Sequence, residues 1–300
     1  MKSEIKCIAI MGLGLIGGSL ALSLKSAEYK VIGITRNKET IDSALKTNAI
    51  DKGFTELSSE ALLDVDVLFI ATPLSQIISD IKKIGSFVNK EIIVSDVGST
   101  KSDICIFAKK NLPQNVIFIG GHPMAGTEKS GFTFSTQNLF KDHAWVLTPL
   151  DESTKNRNAV ALLKKIIISA GAIPVISSYE RHDQAVALIS HLPLLVSLGL
   201  CQMARKRDQN EIANLTAILA SSGFRDMTRI GGGNPQLNFD LISSNISQLS
   251  LILPKFCNEV ENILKLVKEN PETLKKAFNE ISKWQNDLYD KNGKNTLLNI

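Results

Sequence analysis

The sequence predicts an α/β domain built on a mostly parallel sheet, followed by an all-α domain. Three observations carry this reading. Up to about Ser178, short β-branched runs alternate with amphipathic segments, the pattern of a parallel sheet covered on both faces. Beyond Ser178 the strand signals stop, and apolar residues recur at three- and four-residue spacing. The chain has 300 residues, 44% of them hydrophobic, which is enough for two packed cores. The expected domains are 1–178 and 179–300.

Strands are predicted at Cys7–Met11, Val31–Ile34, Val67–Ala71, Ile92–Asp96, Val116–Ile119, Trp145–Thr148 and Ile173–Ile176. The later ones are expected to close the far edge in mixed orientation. Helices begin near Leu15, Glu39, Ser75, Lys101 and Asn156. In the second domain they are expected over Tyr179–Arg205, Gln209–Ser221 and from Pro235 onward, with Leu241–Leu266 forming one or two long helices. The Gly231-Gly232-Gly233-Asn234-Pro235 stretch reads as a turn between two of them. Pro271 interrupts a lysine-rich solvated face, and Lys291–Ile300 reads as a loosely held tail. So few helices cannot cover their own apolar surface, and a two-fold homodimer through the helical domain is the expected assembly.

The net charge of +4 is scattered, with no basic face and no recognisable nucleic-acid module, so nucleic acid is not an expected partner. Cys7, Cys105, Cys201 and Cys257 lie far apart without metal-ligand spacing, and reduced thiols with no metal site are expected. The N-terminus enters a strand pattern without a signal-peptide leader. The long apolar stretch Ala185–Ala204 contains His191, Pro193, Gly199 and Gln202, and reads as a buried interdomain or dimer helix rather than a membrane span. A cytoplasmic protein is expected.

The first strand runs directly into Gly12-Leu13-Gly14-Leu15-Ile16-Gly17, and a helical pattern follows. This is G-x-G-x-x-G in the strand-to-helix context of a Rossmann-type dinucleotide-binding fold. Gly12 permits the tight turn, Gly14 clears the approach of a pyrophosphate, and Gly17 lets helix and strand pack closely. The helix N-terminus offers backbone N–H groups to the phosphates. An NAD site usually carries an acid at the tip of the second strand. Here that strand ends in Thr35-Arg36-Asn37, and Glu39 falls too late, inside the next helix. Arg36 can pair with a 2′-phosphate and Thr35 can donate to it, so NADP is the expected cofactor. Ala71-Thr72-Pro73 is a further cofactor-facing segment, at the end of the strand that begins with Val67.

Two more loops leave strand ends at the same edge: Ser95-Asp96-Val97-Gly98-Ser99-Thr100-Lys101 and the segment from Gly120 to Gly131 that contains His122. An imidazole there can accept a hydroxyl proton as hydride leaves the same carbon. The blocks GLGLIGGSL, ATP, SDVGSTKS, GGHPMAGTEKSG, RHDQAVALISHLP and SSGFRDMTRIGGGNP, in this order, span nearly the whole chain. At these residues the sequence resembles the prephenate/arogenate dehydrogenase family. The resemblance implies that His122 is the catalytic base and that Ser99 hydrogen-bonds His122 or the substrate hydroxyl. It further implies that Thr127 contacts a substrate carboxylate and that Arg229 anchors another from the helical domain. Arg225 is expected to pair with Asp226 or another acid instead, and His191 to be structural.

Prephenate-specific members often carry a second His three positions after the first, where this chain has His191-Leu192-Pro193-Leu194. An apolar Leu194 cannot donate to the keto-acid side chain of prephenate. The RHDQAVA run, HLP followed by an apolar residue, and GGGNP look most like the cyanobacterial and plant NADP-dependent arogenate enzymes. The implied reaction is oxidative decarboxylation of arogenate to tyrosine, with a prephenate or broad cyclohexadienyl dehydrogenase as the near alternative. Any feedback inhibition by tyrosine is expected to act at the active site itself. A hydroxyacid dehydrogenase or imine reductase would not need the Ser99, His122 and Arg229 set. A non-catalytic NADP-binding sensor would not need His122.

Overall fold

The computed structural model describes residues 5–205, 211–290 and 295–298. The strands are β1 (Cys7–Met11), β2 (Lys30–Ile34), β3 (Lys52–Phe54), β4 (Val67–Ile70), β5 (Ile92–Asp96), β6 (Val116–Pro123), β7 (Ala144–Pro149) and β8 (Ile173–Ile176). They form one sheet in the order β3-β2-β1-β4-β5-β6-β7-β8. Every neighbouring pair is parallel except β6 with β7. The helices between the strands are α1 (Leu15–Ser26), α2 (Lys38–Lys46), α3 (Leu74–Ile84), α4 (Ser102–Asn111) and α5 (Thr154–Ser169). After β8 come α6 (Tyr179–Val186), a π-helical turn (Ala187–His191), α7 (Leu192–Arg205), α8 (Glu211–Leu219), α9 (Ser222–Thr228), α10 (Pro235–Ser244), α11 (Ile246–Glu269) and α12 (Pro271–Leu288). An α/β sheet domain is thus followed by a helical one.

The alternation of side chains along each strand divides the interior into two layers. Ile8, Ile10, Val67, Phe69, Ile93, Ile117, Ile119, Trp145 and Leu147 face one layer, where Leu20 and Leu24 of α1 and Leu163, Ile166 and Ile167 of α5 cover them. Cys7, Ala9, Met11, Leu68, Ile70, Ile92, Val94 and Phe118 face the other, under Ile77, Ile81 and Ile84 of α3 and Ile104 and Ala108 of α4. Strands buried on both faces read as continuous apolar runs, which is why they are legible in sequence.

Three elements differ from the sequence reading. β3 is an edge strand of only three residues, Lys-Gly-Phe, too short to show a period. β6 does not stop at Ile119 but runs to Pro123, because antiparallel pairing with β7 holds Gly120, Gly121 and His122 in register opposite Thr148, Leu147 and Val146. The stretch Tyr179–Arg205 is interrupted by the π-helical turn, which falls just before Pro193, a residue with no N–H to donate. By length and composition this helical stretch could cross a membrane. It nevertheless buries His182, Asp183 and His191, each hydrogen-bonded within the protein.

Residues 1–245 cluster as one compact unit and 246–300 as another. α6 to α10 therefore belong to the unit that holds the sheet. In this region Asn234 caps α10 by accepting from the Leu237 N–H, with Pro235 in its first turn, as a turn-then-helix sequence requires. The second unit comprises α11, α12 and a short 3₁₀ turn at Thr296–Leu298. Gln209 and the tail residues 291–294 and 299–300 lie outside the described residues.

Candidate active site

β1 and β4 are neighbours in the sheet but not in the chain, so the winding reverses between them. Open α/β sheets bind ligands outside the strand ends at such a switch point. The glycine loop after β1 and the Ala71-Thr72-Pro73 segment after β4 meet there. Gly12 has φ +97°, and a Cβ on it would run into the Ala71 carbonyl. A Cβ on Gly17 would collide with the Gly12 carbonyl oxygen, whereas Gly14 faces open space with no atom within 4 Å. Gly14 is also the N-cap of α1 without any side-chain cap, leaving first-turn N–H groups free for a ligand. Clear space beside free donors at a positive helix end fits a dinucleotide pyrophosphate. The Leu13 and Leu15 side chains are buried and Ile16 packs against the core, so this loop can offer a ligand only its backbone.

At the tip of β2, the Thr35 N–H donates to the Phe54 carbonyl, and the Asn37 side chain caps α2 by accepting from the Thr40 N–H. Arg36 between them is exposed and makes no ion pair among the described residues. Glu39 sits in the first turn of α2. On the other side of the loop, Thr72 Oγ1 donates to Asp80 Oδ2 at 2.7 Å, which ties the strand end to α3. Pro73 is the N-cap of that helix.

His122 lies on β6, the second strand beyond β4 in the sheet. Gly120 and Gly121 precede it because the sheet is tight there. A Cβ on Gly120 would strike Thr148 Oγ1, and one on Gly121 the Asp96 carbonyl oxygen. Asp96, at the end of β5, accepts from the Gly121 N–H at 3.1 Å and from the Gly98 N–H at 2.8 Å. It also forms an ion pair with Lys101, and both side chains are fully buried. The loop carrying Ser99 is thereby fastened to the strand carrying His122.

The hydrogen bond to His122 that the sequence reading offered to Ser99 is made by His182 instead. His122 Nδ1 lies 2.8 Å from His182 Nε2, and His182 Nδ1 lies 2.8 Å from Asp183 Oδ1. Ser99 is half-buried in the loop after β5 and makes no hydrogen bond to His122 among the described residues. Asp183 also accepts the Lys101 N–H at 2.8 Å and the Ser102 N–H at 2.7 Å, which caps α4 from a distant element. Burial alone would raise the Asp183 carboxyl, but hydrogen bonds from His182, Ser102 and the Lys101 N–H outweigh it and hold it below its ordinary value. Burial, followed by the charges of His182, Lys101 and His191, pushes His122 well below the usual imidazole range. Its imidazole is therefore neutral at physiological pH.

His191 is buried, its Nδ1 3.0 Å from Asn245 Nδ2, which also donates to the Asp183 carbonyl at 2.8 Å. Burial lowers His191 to about 4. Thr127 and Arg229 are exposed, Thr127 accepting from the Lys129 N–H and Arg229 closing α9. The structure brings neither into hydrogen-bond contact with His122. Arg225 pairs with Asp226 at 3.1 Å on the surface. The sequence reading gave no role to His182 and Asp183. The available signal was an adjacent His-Asp pair opening the first helix after the last strand.

Residues 20–175 match the family described as prephenate dehydrogenase, nucleotide-binding domain, and residues 178–280 match prephenate dehydrogenase, dimerization domain. The prephenate dehydrogenase of Bacillus subtilis is 32% identical over 94% of this chain and 76% of its own length. The crystal structure of Synechocystis arogenate dehydrogenase superposes with a TM-score of 0.82 at 31% identity, covering 93% of this chain and 98% of that one. That of A. aeolicus prephenate dehydrogenase, in complex with hydroxyphenyl propionate and NAD+, gives 0.84 at 28% identity, covering 95% and 99%. With a glycine loop at the switch point and a neutral, half-buried histidine on β6, the chain belongs to the prephenate dehydrogenase family of oxidoreductases.

Proposed function

We propose that the chain is an NADP-dependent arogenate dehydrogenase that converts arogenate to tyrosine in the cytoplasm as a homodimer. The observation that carries the reaction is His122, a histidine held neutral by its surroundings at the ligand edge of the sheet. His122 takes the proton of the ring hydroxyl at C4, which lets the C–O bond become a carbonyl. The nicotinamide, when bound, accepts the hydride that leaves the same carbon. The C1–carboxylate bond then breaks, its electrons enter the ring, carbon dioxide departs, and the ring becomes aromatic. Backbone N–H groups at Gly12–Gly17 would hold the pyrophosphate of a bound dinucleotide, with Thr72 and Pro73 at the neighbouring strand end, and Ser99 steadies the reacting hydroxyl. Thr127 and Arg229 hold substrate carboxylates, a task to which the planar guanidinium fork is suited. Both are exposed in the single chain and free to receive an anion.

NADP is favoured by the exposed Arg36, which makes no ion pair among the described residues, with Thr35 and Asn37 at the tip of β2, and by the absence of a carboxylate among those three residues. Arogenate is favoured by the apolar Leu194 and by the likeness to the Synechocystis enzyme. The likeness to the B. subtilis prephenate dehydrogenase supports a second reading, in which prephenate or both cyclohexadienyl compounds are substrates. Homodimerisation is supported by the match to a dimerization domain and by the exposed Val260, Ile263, Leu264, Phe278, Ile281 and Trp284 of the second unit. The test is the initial rate of reduced-cofactor formation with arogenate or prephenate, each with NADP+ or NAD+. Turnover concentrated on arogenate with NADP+ supports the proposal. A preference for prephenate removes the Leu194 argument, and a preference for NAD+ removes the Arg36 argument.

A further inference from the structure

We propose that His182 and Asp183 are positioning residues that fix the tautomer of His122, so that its Nε2 is the base and its Nδ1 carries the proton. This rests on the reading of His122 as the base and goes beyond it. The order of protons follows from the acceptor at the end of the chain. Asp183 is ionised and can only accept, held by the Lys101 and Ser102 N–H groups at the start of α4. Its contact with His182 at 2.8 Å therefore puts a proton on His182 Nδ1. When Nδ1 carries the one ring proton, His182 Nε2 is an acceptor, and the 2.8 Å contact to His122 is completed by donation from His122 Nδ1. Nε2 of His122 is left with its lone pair.

The same chain serves the reaction. When the substrate hydroxyl delivers its proton to Nε2, His122 becomes a cation beside the Lys101 ammonium and near His191. A hydrogen bond from Nδ1 through His182 to an anion anchored by a helix end offsets that unfavourable charge. Asp96 neutralises Lys101 but makes no contact with the imidazoles. The anion that faces them is Asp183. Its position is set from two sides, by the first turn of α4 and by Asn245, which binds the Asp183 carbonyl.

Three variants and one spectrum test this. Asp183→Asn turns an acceptor into a donor toward His182 Nδ1, which drives a proton onto His122 Nε2. Loss of the right tautomer in a Ser-His-Asp site costs about 10⁴ in kcat, and a loss on the order of 10³ is expected here. His182→Gln can still accept from His122 and donate to Asp183, and should keep kcat within about tenfold, whereas His182→Leu should lose about 10²-fold or more. The KM for substrate and the binding of reduced cofactor should move little in any of them. A purely structural role predicts instead that Gln and Leu lower kcat equally and in step with thermal stability. Should Asp183→Asn fail to fold, the His182 pair and the spectrum decide. Nitrogen-15 histidine spectra of the unaltered enzyme should show His122 protonated at Nδ1 and bare at Nε2. The opposite tautomer, or equal activity of the Gln and Leu variants, overturns the proposal. If the unaltered enzyme turned over neither cyclohexadienyl compound, the functional reading would fail while the spectrum still decided the tautomer.

Discussion

Asp96 and Lys101 form an ion pair in which neither side chain reaches solvent, five residues apart across the loop that carries Ser99. Asp96 also receives the N–H groups of Gly98 and Gly121, so one carboxylate fastens the end of β5 to the strand of His122. Replacing one member of a buried pair strands the other charge, at a cost of about 3–5 kcal/mol. Asp96→Ala should lower unfolding free energy by that order, read from the denaturant midpoint. A change near zero would mean that Lys101 finds water.

The glycine loop makes two opposite predictions from one substitution. Gly14→Ala adds a methyl group to open space, so the fold should keep its thermal midpoint while cofactor binding weakens by about tenfold or more. Gly17→Ala drives a methyl group into the Gly12 carbonyl and should destabilise the fold itself. Calorimetry beside cofactor titration separates the two effects. Equal cofactor affinity in Gly14→Ala would remove the pyrophosphate from that position.

Arg36→Leu should raise the KM for NADP+ by about 10- to 100-fold, the range for losing a charge-assisted hydrogen bond, and leave the KM for NAD+ nearly unchanged. Parallel steady-state titrations with the two cofactors report this directly. An equal effect on both would show that Arg36 does not read the 2′-phosphate.

Stability should fall as the solution is acidified. His191 sits at about 4 in the fold against 6.5 for the free side chain, so between these values the unfolded chain binds more protons than the folded one. Its contribution is complete above about pH 6.5 and lost as pH falls toward 4, on the order of 3 kcal/mol in all. His122, lowered in the same direction, adds to the loss. Urea unfolding of the wild type and of His191→Gln across this window should show a shallower slope for the variant. Parallel slopes would mean that His191 is not held neutral.

Much of the fold was legible because its buried parallel strands are uninterrupted runs of Ile, Val, Leu and Phe, and because Gly12–Gly17 lies between a strand and a helix. β3 was not, since Lys52, Gly53 and Phe54 have no period and are ordered by pairing with β2. The end of β6 was misread because Gly120, Gly121 and Pro123 punctuate a sequence, while here pairing with β7 overrides them. The site was legible in part. His122 stood out by its glycines, but its partner lies sixty residues away and is set by tertiary packing. Local patterns carry no signal for a contact between β6 and α6.

The central claim is that His122 is the base in the oxidation of a cyclohexadienyl substrate, and the direct measurement is product formation by His122→Gln beside the wild type. The wild type should release carbon dioxide and reduced cofactor in equal amounts from arogenate and NADP+. The variant should bind both ligands with near-normal affinity and lose about 10³-fold in kcat, the scale of a lost general base. Unchanged turnover in the variant, or tight cofactor binding by a wild type that forms no product, would contradict it.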